Sequence, residues 1–379
     1  MNKAFILILL FFIKAEAQES ISALAIGDSL YTLGDYSKAM NYYRQLPEGE
    51  QIQFKIAKSY EALGNNPKAI QYYNNVIVNN PKAIQAKYAF GRLLFKTAKF
   101  QVADSIFENL SFENPSNPNY VYQRGLIKEK QQDSSAILFF QKTYILDSNH
   151  INAIYKIAKL KLEKRQFVES EIFIKKGLYI DSLSIRFLTL KALKHYHNKE
   201  YHKSIEVYEK LLRLGKNSER LHYNLANSYS QVLKIEEATK QYILLINGYD
   251  DKNSDYHYLL GLSFRALHYN EKAKRQLELA IALKFTSLDV EYLTLAMLYK
   301  RERNFKKTLE YLELALMDNS NNELASYQLA VASDNYFKDK KTVIRYYEKY
   351  LKKFGETGRM RNMVKARISD LKKEVHFKD

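Results

Sequence analysis

Small residues recur along the chain about every 34 residues, a period typical of repeated structural units. The members of the first series are Gly27, Ala57, Gly91, Gly125, Ala158, Ala192, Ala226, Gly261, Ala296 and Ala330. About twelve residues after each of them comes a second small residue, in the series Ala39, Ala69, Ala103, Ala136, Ser170, Ser204, Ala238, Ala273, Thr308 and Thr342. A unit of this length buries too little apolar surface to fold alone, so the units are predicted to stack into an elongated solenoid.

The second unit shows how each unit forms two helices. Ala57 and Tyr60 lie one helical turn apart and predict the inner face of a first helix. The segment 63–67 contains a Gly that ends this helix and a Pro that suits the start of the next one. Ala69 and Tyr73 then belong to the apolar stripe of a second helix. The small residues let the two helices approach closely, and the tyrosines fill the space beside them.

This arrangement of small and aromatic positions resembles the tetratricopeptide repeat. The residues that carry the resemblance in the second, third and seventh units are Ala57, Tyr60, Gly64, Ala69, Tyr73, Pro81, Gly91, Leu94, Phe100, Ala103, Phe107, Pro115, Leu225, Ala226, Tyr229, Ala238 and Tyr242. The resemblance implies an all-α fold, a right-handed superhelical solenoid of about ten tandem helix-turn-helix repeats over residues 20–355. It also implies that the first helices line a concave groove, which such proteins use to hold a partner.

The two ends of the chain differ from the repeats. Residues 1–17 predict a signal peptide, with Lys3, an apolar run from Ala4 to Ile13 and an Ala15-Glu16-Ala17 cleavage site. The run is too short to span a bilayer, which takes about 20 residues, so cleavage is favoured over an uncleaved anchor. Residues 356–379 predict a capping helix and tail. The apolar residues expected to face the last repeat are Met360, Met363, Val364, Ile368 and Leu371, and the basic ones expected outside are Arg361, Lys365, Arg367, Lys372 and Lys373.

Export changes the interpretation of the composition. The chain has no Cys, so it holds no disulfide and carries no lipid on an N-terminal Cys. We therefore expect a periplasmic or extracellular protein that is not a lipoprotein, with no transmembrane segment in the mature chain. The formal net charge of +17 is typical of nucleic-acid binding, but an exported protein does not meet nucleic acid. Acidic peptides, anionic glycans and phospholipid headgroups are the partners that this charge favours instead.

An aromatic column is predicted along the groove. The position three residues before each small residue of the first series points away from the packed helix pair. Its aromatic members are Phe54, Tyr88, Tyr122, Tyr155, Tyr223, Tyr258 and Tyr327. Tyr supplies contact area at low entropy cost and keeps a polar tip, which suits recognition of peptides or sugars. The alternative is that these rings pack on the neighbouring first helix, and the sequence leaves both interpretations open.

Cations are predicted beside this column in the N-terminal half. The position after each small residue gives Lys58, Arg92 and Lys159, and Lys55 and Lys156 lie on the adjoining edge. Apolar residues occupy this position in the C-terminal half. The pattern predicts a groove graded in charge, with the acidic end of a partner near the second to fifth units. The alternative is a solvated basic face that keeps the protein soluble.

The sequence contains none of the common catalytic motifs that we considered. The chain lacks a Cys nucleophile, a Gly-rich phosphate loop, a nucleophile elbow and a zinc-protease motif. His195, His197 and His202, with Glu200 between them, are the only concentrated metal donors, and their spacing does not make them converge. The sequence therefore predicts no catalytic residue, no metal site and no cofactor.

Three functions remain in competition. The first is a non-enzymatic scaffold of the bacterial cell envelope that binds a protein or peptide, acidic at one end, in its groove. The second is direct binding of an anionic glycan or lipid headgroup by the basic, Tyr-rich groove. The third is an accessory subunit that positions an enzyme without chemistry of its own. The sequence leaves the identity of the partner and the oligomeric state open.

Overall fold

The computed structural model describes residues 23–284 and 287–376, which form helices and no strands. The helices are α1 (residues 23–32), α2 (Tyr36–Tyr43), α3 (Glu50–Ala62), α4 (Asn66–Asn79), α5 (Ile84–Lys96), α6 (Phe100–Glu113), α7 (Pro118–Lys130), α8 (Ala136–Leu146), α9 (Ile151–Glu163), α10 (Phe167–Ile180), α11 (Ile185–His197), α12 (Tyr201–Arg213), α13 (Glu219–Gln231), α14 (Ile235–Gly248), α15 (Ser254–Ala266), α16 (Asn270–Leu283), α17 (Asp289–Arg301), α18 (Phe305–Asp318), α19 (Glu323–Tyr336), α20 (Lys340–Phe354) and α21 (Arg361–His376). The predicted signal peptide over residues 1–17 and the last three residues of the predicted tail lie outside the described residues.

Taken two at a time along the sequence, the helices are numbered here as repeats 1 to 10, followed by α21. In repeat 2, for example, α3 packs against α4, and α4 then packs against α5 of repeat 3. The predicted all-helical fold of helix-turn-helix repeats is thereby confirmed. The chain divides into two compact units, one ending at Leu190 and the other beginning at Lys191, and each is described by itself below. Among the described helices none is both long and apolar enough to cross a membrane.

The small residues of the first series face a large side chain of the second helix in the same repeat. A β-carbon added to Gly91 would lie 2.8 Å from the ring of Phe107, and one added to Gly125 would lie 2.6 Å from the ring of Phe140. Both rings are fully buried. Because interiors are close-packed, a larger residue at these positions would push the two helices apart. The period of small residues in the sequence therefore results from the close packing of the two helices in each repeat.

The turn between the two helices of a repeat has one recurrent conformation. In repeat 2 the amide of Gly64 donates to the carbonyl of Glu61 at 3.0 Å, and the amide of Asn65 donates to that of Tyr60 at 2.8 Å. This pattern closes the first helix with a residue of positive φ, which glycine adopts without strain. The residues of positive φ at the corresponding place in repeats 1 to 9 are Gly34, Gly64, Ala98, Gln132, Arg165, Lys199, Leu233, His268 and Arg303. The turn is therefore imposed by stacking, since most repeats form it without glycine.

The last helix packs on repeat 10 with only part of its predicted face. Val364, Ile368 and Leu371 are buried. Met363 is 54% exposed, so its predicted place on the inner face is wrong. Arg367 was expected in solvent, but its guanidinium binds Asp334 of α19 through two hydrogen bonds of 2.6 and 3.1 Å. Burial raises the pKa of Asp334, but the hydrogen bonds and charges of Arg367 and Lys340 together outweigh burial and hold that pKa below its ordinary value. An ion pair thus fixes the cap where apolar contacts alone were expected.

Candidate functional site

One face of each first helix in the N-terminal unit carries polar and aromatic side chains at helical spacing. In α5 this face consists of Gln85, Tyr88, Arg92 and Lys96, which follow each other by three or four residues. Such residues lie one above the other on a helix and project together. The faces of α3 and α7 beside it present Phe54 and Lys58, and Asn119 and Tyr122, respectively.

These faces enclose two adjoining hollows in the N-terminal unit, which we name together the tyrosine cleft. The first has a volume of about 750 Å³ and the second about 510 Å³. Both are lined by Glu61, Tyr88, Arg92, Lys96 and Asn119. The remaining lining residues are Tyr31, Phe54, Lys58, Ala62, Tyr73, Ile84, Gln85, Ala89, Asn117, Tyr120, Phe95, Tyr122, Gln123, Leu126, His150 and Asn152. The structure therefore brings together five residues predicted from the sequence, namely Phe54, Lys58, Tyr88, Arg92 and Tyr122.

The predicted aromatic residues of the cleft, Phe54, Tyr88 and Tyr122, are half-buried and pack on rings beneath them. The ring of Tyr88 lies 5.7 Å from that of Phe107 and 6.0 Å from that of Tyr120, measured between centroids. The ring of Tyr122 lies 4.9 Å from the imidazole of His150. Tyr88 and Tyr122 thus pack against neighbouring side chains, as the alternative interpretation of the sequence expects. Each ring nevertheless forms part of the cleft wall. Their role in binding stays a prediction. The part of each ring that a partner could contact is its edge, which the packing holds in place.

The predicted aromatic residues outside the cleft are also packed. In the N-terminal unit, Tyr155 lies against Phe187 at 5.7 Å between ring centroids, and the guanidinium of Arg186 lies 4.0 Å from the Tyr155 ring centre. In the C-terminal unit Tyr223 lies against Tyr256 at 5.9 Å. There Tyr258 packs on the cluster of Leu277 and Leu295, and Tyr327 packs against Tyr350 at 6.2 Å. None of these four residues lines a hollow described above.

Three of the five predicted cations are held by carboxylates. Lys55 binds Asp28 at 2.6 Å, Lys156 binds Glu129, and Lys159 lies 3.5 Å from Glu163. Because a carboxylate neutralises each of them, the predicted charge gradient does not extend along the unit as a simple row of free cations.

Lys58 and Arg92 are the two predicted cations that stay available in the cleft. Both are exposed, and neither forms an ion pair with a carboxylate of the described residues. The ammonium group of Lys58 lies 5.2 Å from the ring centre of Tyr31, which keeps it above the cleft wall. Lys96 is a third cation of the same kind, exposed and on the wall of both hollows. The cleft therefore concentrates positive charge over aromatic edges.

The one carboxylate of the cleft is already engaged. Glu61 accepts a hydrogen bond of 2.8 Å from the hydroxyl of Tyr73. Burial, and next the bond to Glu61, hold the pKa of Tyr73 above its ordinary value. Burial likewise raises the pKa of Tyr122. These hydroxyls therefore remain protonated donors at neutral pH, and the three cations outnumber the single acid.

Sequence reasoning missed several lining residues. Lys96 lies one turn after Arg92, and Gln85 lies one turn before Tyr88, on the face that the two predicted positions already define. Gln123 donates a 3.1 Å hydrogen bond to the hydroxyl of Tyr88 from the next repeat. Extending the two positions by one turn in each direction would have found Lys96 and Gln85. Nothing in the sequence period predicts the bond from Gln123.

The histidine group in the C-terminal unit does not form a metal site in the structure. His195 is buried, and its Nδ1 lies 2.6 Å from Glu200. That hydrogen bond lowers the pKa of Glu200 to about 2, while burial lowers the pKa of His195. His197 and His202 are exposed. Among the described residues no group of His, Asp and Glu has the geometry to hold a metal ion.

The fold and the site define a helical repeat protein with a cleft on the first helices of its N-terminal unit. Family models described as tetratricopeptide repeat match residues 22–46 and 51–83. The C-terminal part of a tetratricopeptide-repeat protein from Cytophaga hutchinsonii has the same fold, with a TM-score of 0.53 at 14% identity, over 64% of this chain and 99% of that one. The chain therefore has the fold of tetratricopeptide repeat proteins, and residues 22–46 and 51–83 match the repeat itself.

Two further solved structures are similar over part of the chain. A tetratricopeptide repeat protein from Parabacteroides merdae matches with a TM-score of 0.47 at 15% identity, over 66% of this chain and 98% of that one. The protein YrrB, described as having an unusual peptide-binding site, matches with a TM-score of 0.46 at 16% identity, over 50% and 96%. No curated protein matches the sequence.

Proposed function

We propose that the chain is a non-enzymatic interaction scaffold that holds an extended, acidic peptide segment of a partner in the tyrosine cleft. The observation that carries this proposal is the position of Lys58, Arg92 and Lys96 over half-buried aromatic rings. These three exposed cations form no ion pair with a described carboxylate. Rings that are packed from below lose little freedom on binding, so their contact area is gained at low entropy cost. The cations supply the long-range attraction and the orientation.

The dimensions of the cleft suit a short extended segment. Its walls come mainly from α3, α5 and α7, and neighbouring packed helices lie roughly 8–10 Å apart. A segment that crosses these three helices therefore covers about six residues, at about 3.3 Å per residue. Side chains on one side of such a segment would meet the tyrosine edges, while its carboxylates would reach Arg92 and Lys96.

An anionic glycan is the second candidate for the same cleft. Amide side chains such as Asn119 and Gln123 stand beside the tyrosine rings, and this combination of groups also suits sugar recognition. The two candidates differ in their dependence on salt. Polyanion binding rests on charge and weakens steeply at high ionic strength, whereas an acidic peptide anchored on Tyr rings keeps more of its affinity.

Affinity capture from cell-envelope extract on the immobilised chain tests the proposal. We expect a protein or peptide that is retained by the wild type and still bound in moderate salt, and mass spectrometry identifies it. The matched variant is Tyr122→Leu, which keeps apolar packing against Phe140 but removes the ring edge from the cleft. The variant should bind the captured partner more weakly by about 1–2 kcal/mol of binding free energy. Its free energy of unfolding should change by less than that. Retention of glycan alone, lost on raising the salt, would favour the second candidate, and equal retention by both chains would place the site elsewhere.

We further propose that the scaffold acts outside the cytoplasm, in the periplasm or at the cell exterior of a bacterium. The support is the series of Lys3, the apolar run and the Ala15-Glu16-Ala17 site. N-terminal sequencing of the mature protein is expected to begin at Gln18. A cytosolic chain that still begins at Met1 would refute export and would make nucleic acid a candidate partner again.

A further inference from the structure

A row of apolar side chains projects into solvent from the second helices of the N-terminal unit. We name it the outer ridge, and it consists of Val78 on α4, Phe112 on α6, Ile145 on α8 and Tyr179 on α10. These residues are 67%, 87%, 80% and 88% exposed, respectively. They occupy the same place in four consecutive repeats, nine residues after the small residue of the second helix in each. Side chains this exposed contribute almost nothing to the packing of their own repeats.

The repeat architecture does not require apolar residues at this place. In repeats 6 to 8 of the C-terminal unit the same place holds Arg213, Asn247 and Ala282. Further exposed apolar residues lie on the same second helices of the N-terminal unit, namely Val102, Leu138, Val168 and Ile172. Exposed apolar residues grouped in this way on a folded protein mark a candidate interaction site.

Contacts join α8 to α10 and α4 to α6, so the second helices of these repeats run near one another. The ring of Tyr144 on α8 contacts that of Phe173 on α10, with centroids 5.4 Å apart. Ile70 on α4 packs on the cluster that contains Ala103 and Phe107 of α6. Neighbouring ridge residues are therefore separated by about one interhelical distance, roughly 10 Å.

We propose that a second copy of this chain docks on the outer ridge to form a two-fold symmetric dimer. The two ridges are antiparallel, which means that their repeats run in opposite order. The ridge side chains recur at a fixed spacing, so a surface with the same spacing can pack against them. The outer ridge of a second copy is such a surface. In a two-fold dimer the same patch serves both subunits. An axis between α6 and α8 sets Phe112 of one copy beside Ile145 of the other.

The charges beside the ridge fit this orientation. Glu108 lies one turn before Phe112 on α6, and Lys142 lies one turn before Ile145 on α8. Both are exposed. Glu108 is bound on one side by Arg124 of its own chain at 2.8 Å, whereas Lys142 forms no ion pair with a described carboxylate. Because antiparallel docking brings α6 against α8 of the second copy, each Lys142 meets a Glu108. The complementary charges select the antiparallel orientation.

The area of the ridge is sufficient for a stable dimer. The ridge residues and their four apolar neighbours expose on the order of 1,000 Å² in total, and a standard interface buries roughly 800 Å² on each partner. Such a docked face leaves the tyrosine cleft free, because the ridge lies on second helices and the cleft lies mainly on first helices.

Sedimentation velocity of the full chain over a range of concentrations tests the proposal. We expect a concentration-dependent dimer, and we expect the double variant Phe112→Asp with Ile145→Asp to raise its dissociation constant by at least about 100-fold. The matched control is Met317→Asp, because Met317 occupies the same place in repeat 9 and is 82% exposed without a ridge around it. It should leave the dimer unchanged. Circular dichroism verifies that each variant is folded.

A charge exchange tests the orientation separately. Lys142→Glu should raise the dissociation constant about 10-fold, and adding Glu108→Lys to the same chain should restore the dimer. A wild-type chain that sediments as a monomer at every concentration overturns the proposal, as does a dimer that survives the ridge variants. Binding of a monomeric wild type to anionic lipid vesicles, lost in the ridge variants, would assign the ridge to a membrane and would overturn it equally.

Discussion

Replacing Leu277 with Ala is expected to lower the free energy of unfolding of repeat 8 by about 2–5 kcal/mol. Leu277 is fully buried on α16, and a β-carbon added to Gly261 of α15 would lie 2.9 Å from its side chain. It also belongs to the cluster that contains Leu295 and Leu298 of the next repeat. The truncation therefore leaves a cavity where two helices of one repeat meet a third, and the close-packed surroundings relax only partly.

The loss should be local. Repeats of a solenoid contact mainly their neighbours, so fraying is expected around repeat 8 before the rest of the chain opens. Hydrogen exchange resolved by peptide measures this, because one unfolding free energy for the entire chain is poorly defined in a repeat array. The control is Leu279→Ala on the same helix, an exposed leucine whose truncation should change exchange little. A single all-or-none opening of the whole chain would contradict modular stability.

The fold was predictable because its physical cause repeats in the sequence. The close approach of Gly91 to Phe107 recurs at Gly125 with Phe140, so a period in residue size reports helix pairing directly. Apolar periodicity was less informative for the last described helix, α21. Met363 appeared to belong to the inner face, yet no helix packs beyond α21 among the described residues to cover it.

The candidate site was predictable only in part, because its charges depend on contacts between repeats. Lys55 reaches Asp28 and Lys156 reaches Glu129, in each case from one first helix to the preceding repeat. A list of positions within one repeat does not reveal such pairs. The aromatic residues raise a different difficulty, since Tyr88 packs on Phe107 and also lines the cleft. The same ring therefore packs against its neighbours and lines the cleft, while its role in binding stays a prediction.

Reversing two cleft cations, Arg92→Glu together with Lys96→Glu, is expected to weaken partner binding by roughly 2–4 kcal/mol. The two side chains are exposed on consecutive turns of α5 and line both hollows of the tyrosine cleft. With Glu61 already bonded to Tyr73, the reversal makes the cleft strongly negative. An acidic segment would then be repelled where it was attracted, and most of the change should appear as slower association that is partly recovered in high salt.

Binding kinetics of the captured partner at several salt concentrations measure this effect. The matched control is Lys240→Glu with Lys306→Glu, which changes the net charge equally through exposed cations on second helices of the C-terminal unit. If the charge of the whole protein attracts the partner, both variants should lose the same affinity. If the cleft binds it, only the α5 variant should lose affinity, while both keep wild-type helicity because surface substitutions of this kind change stability by about 0.5 kcal/mol or less. Equal losses would remove the argument for an acidic peptide in the tyrosine cleft.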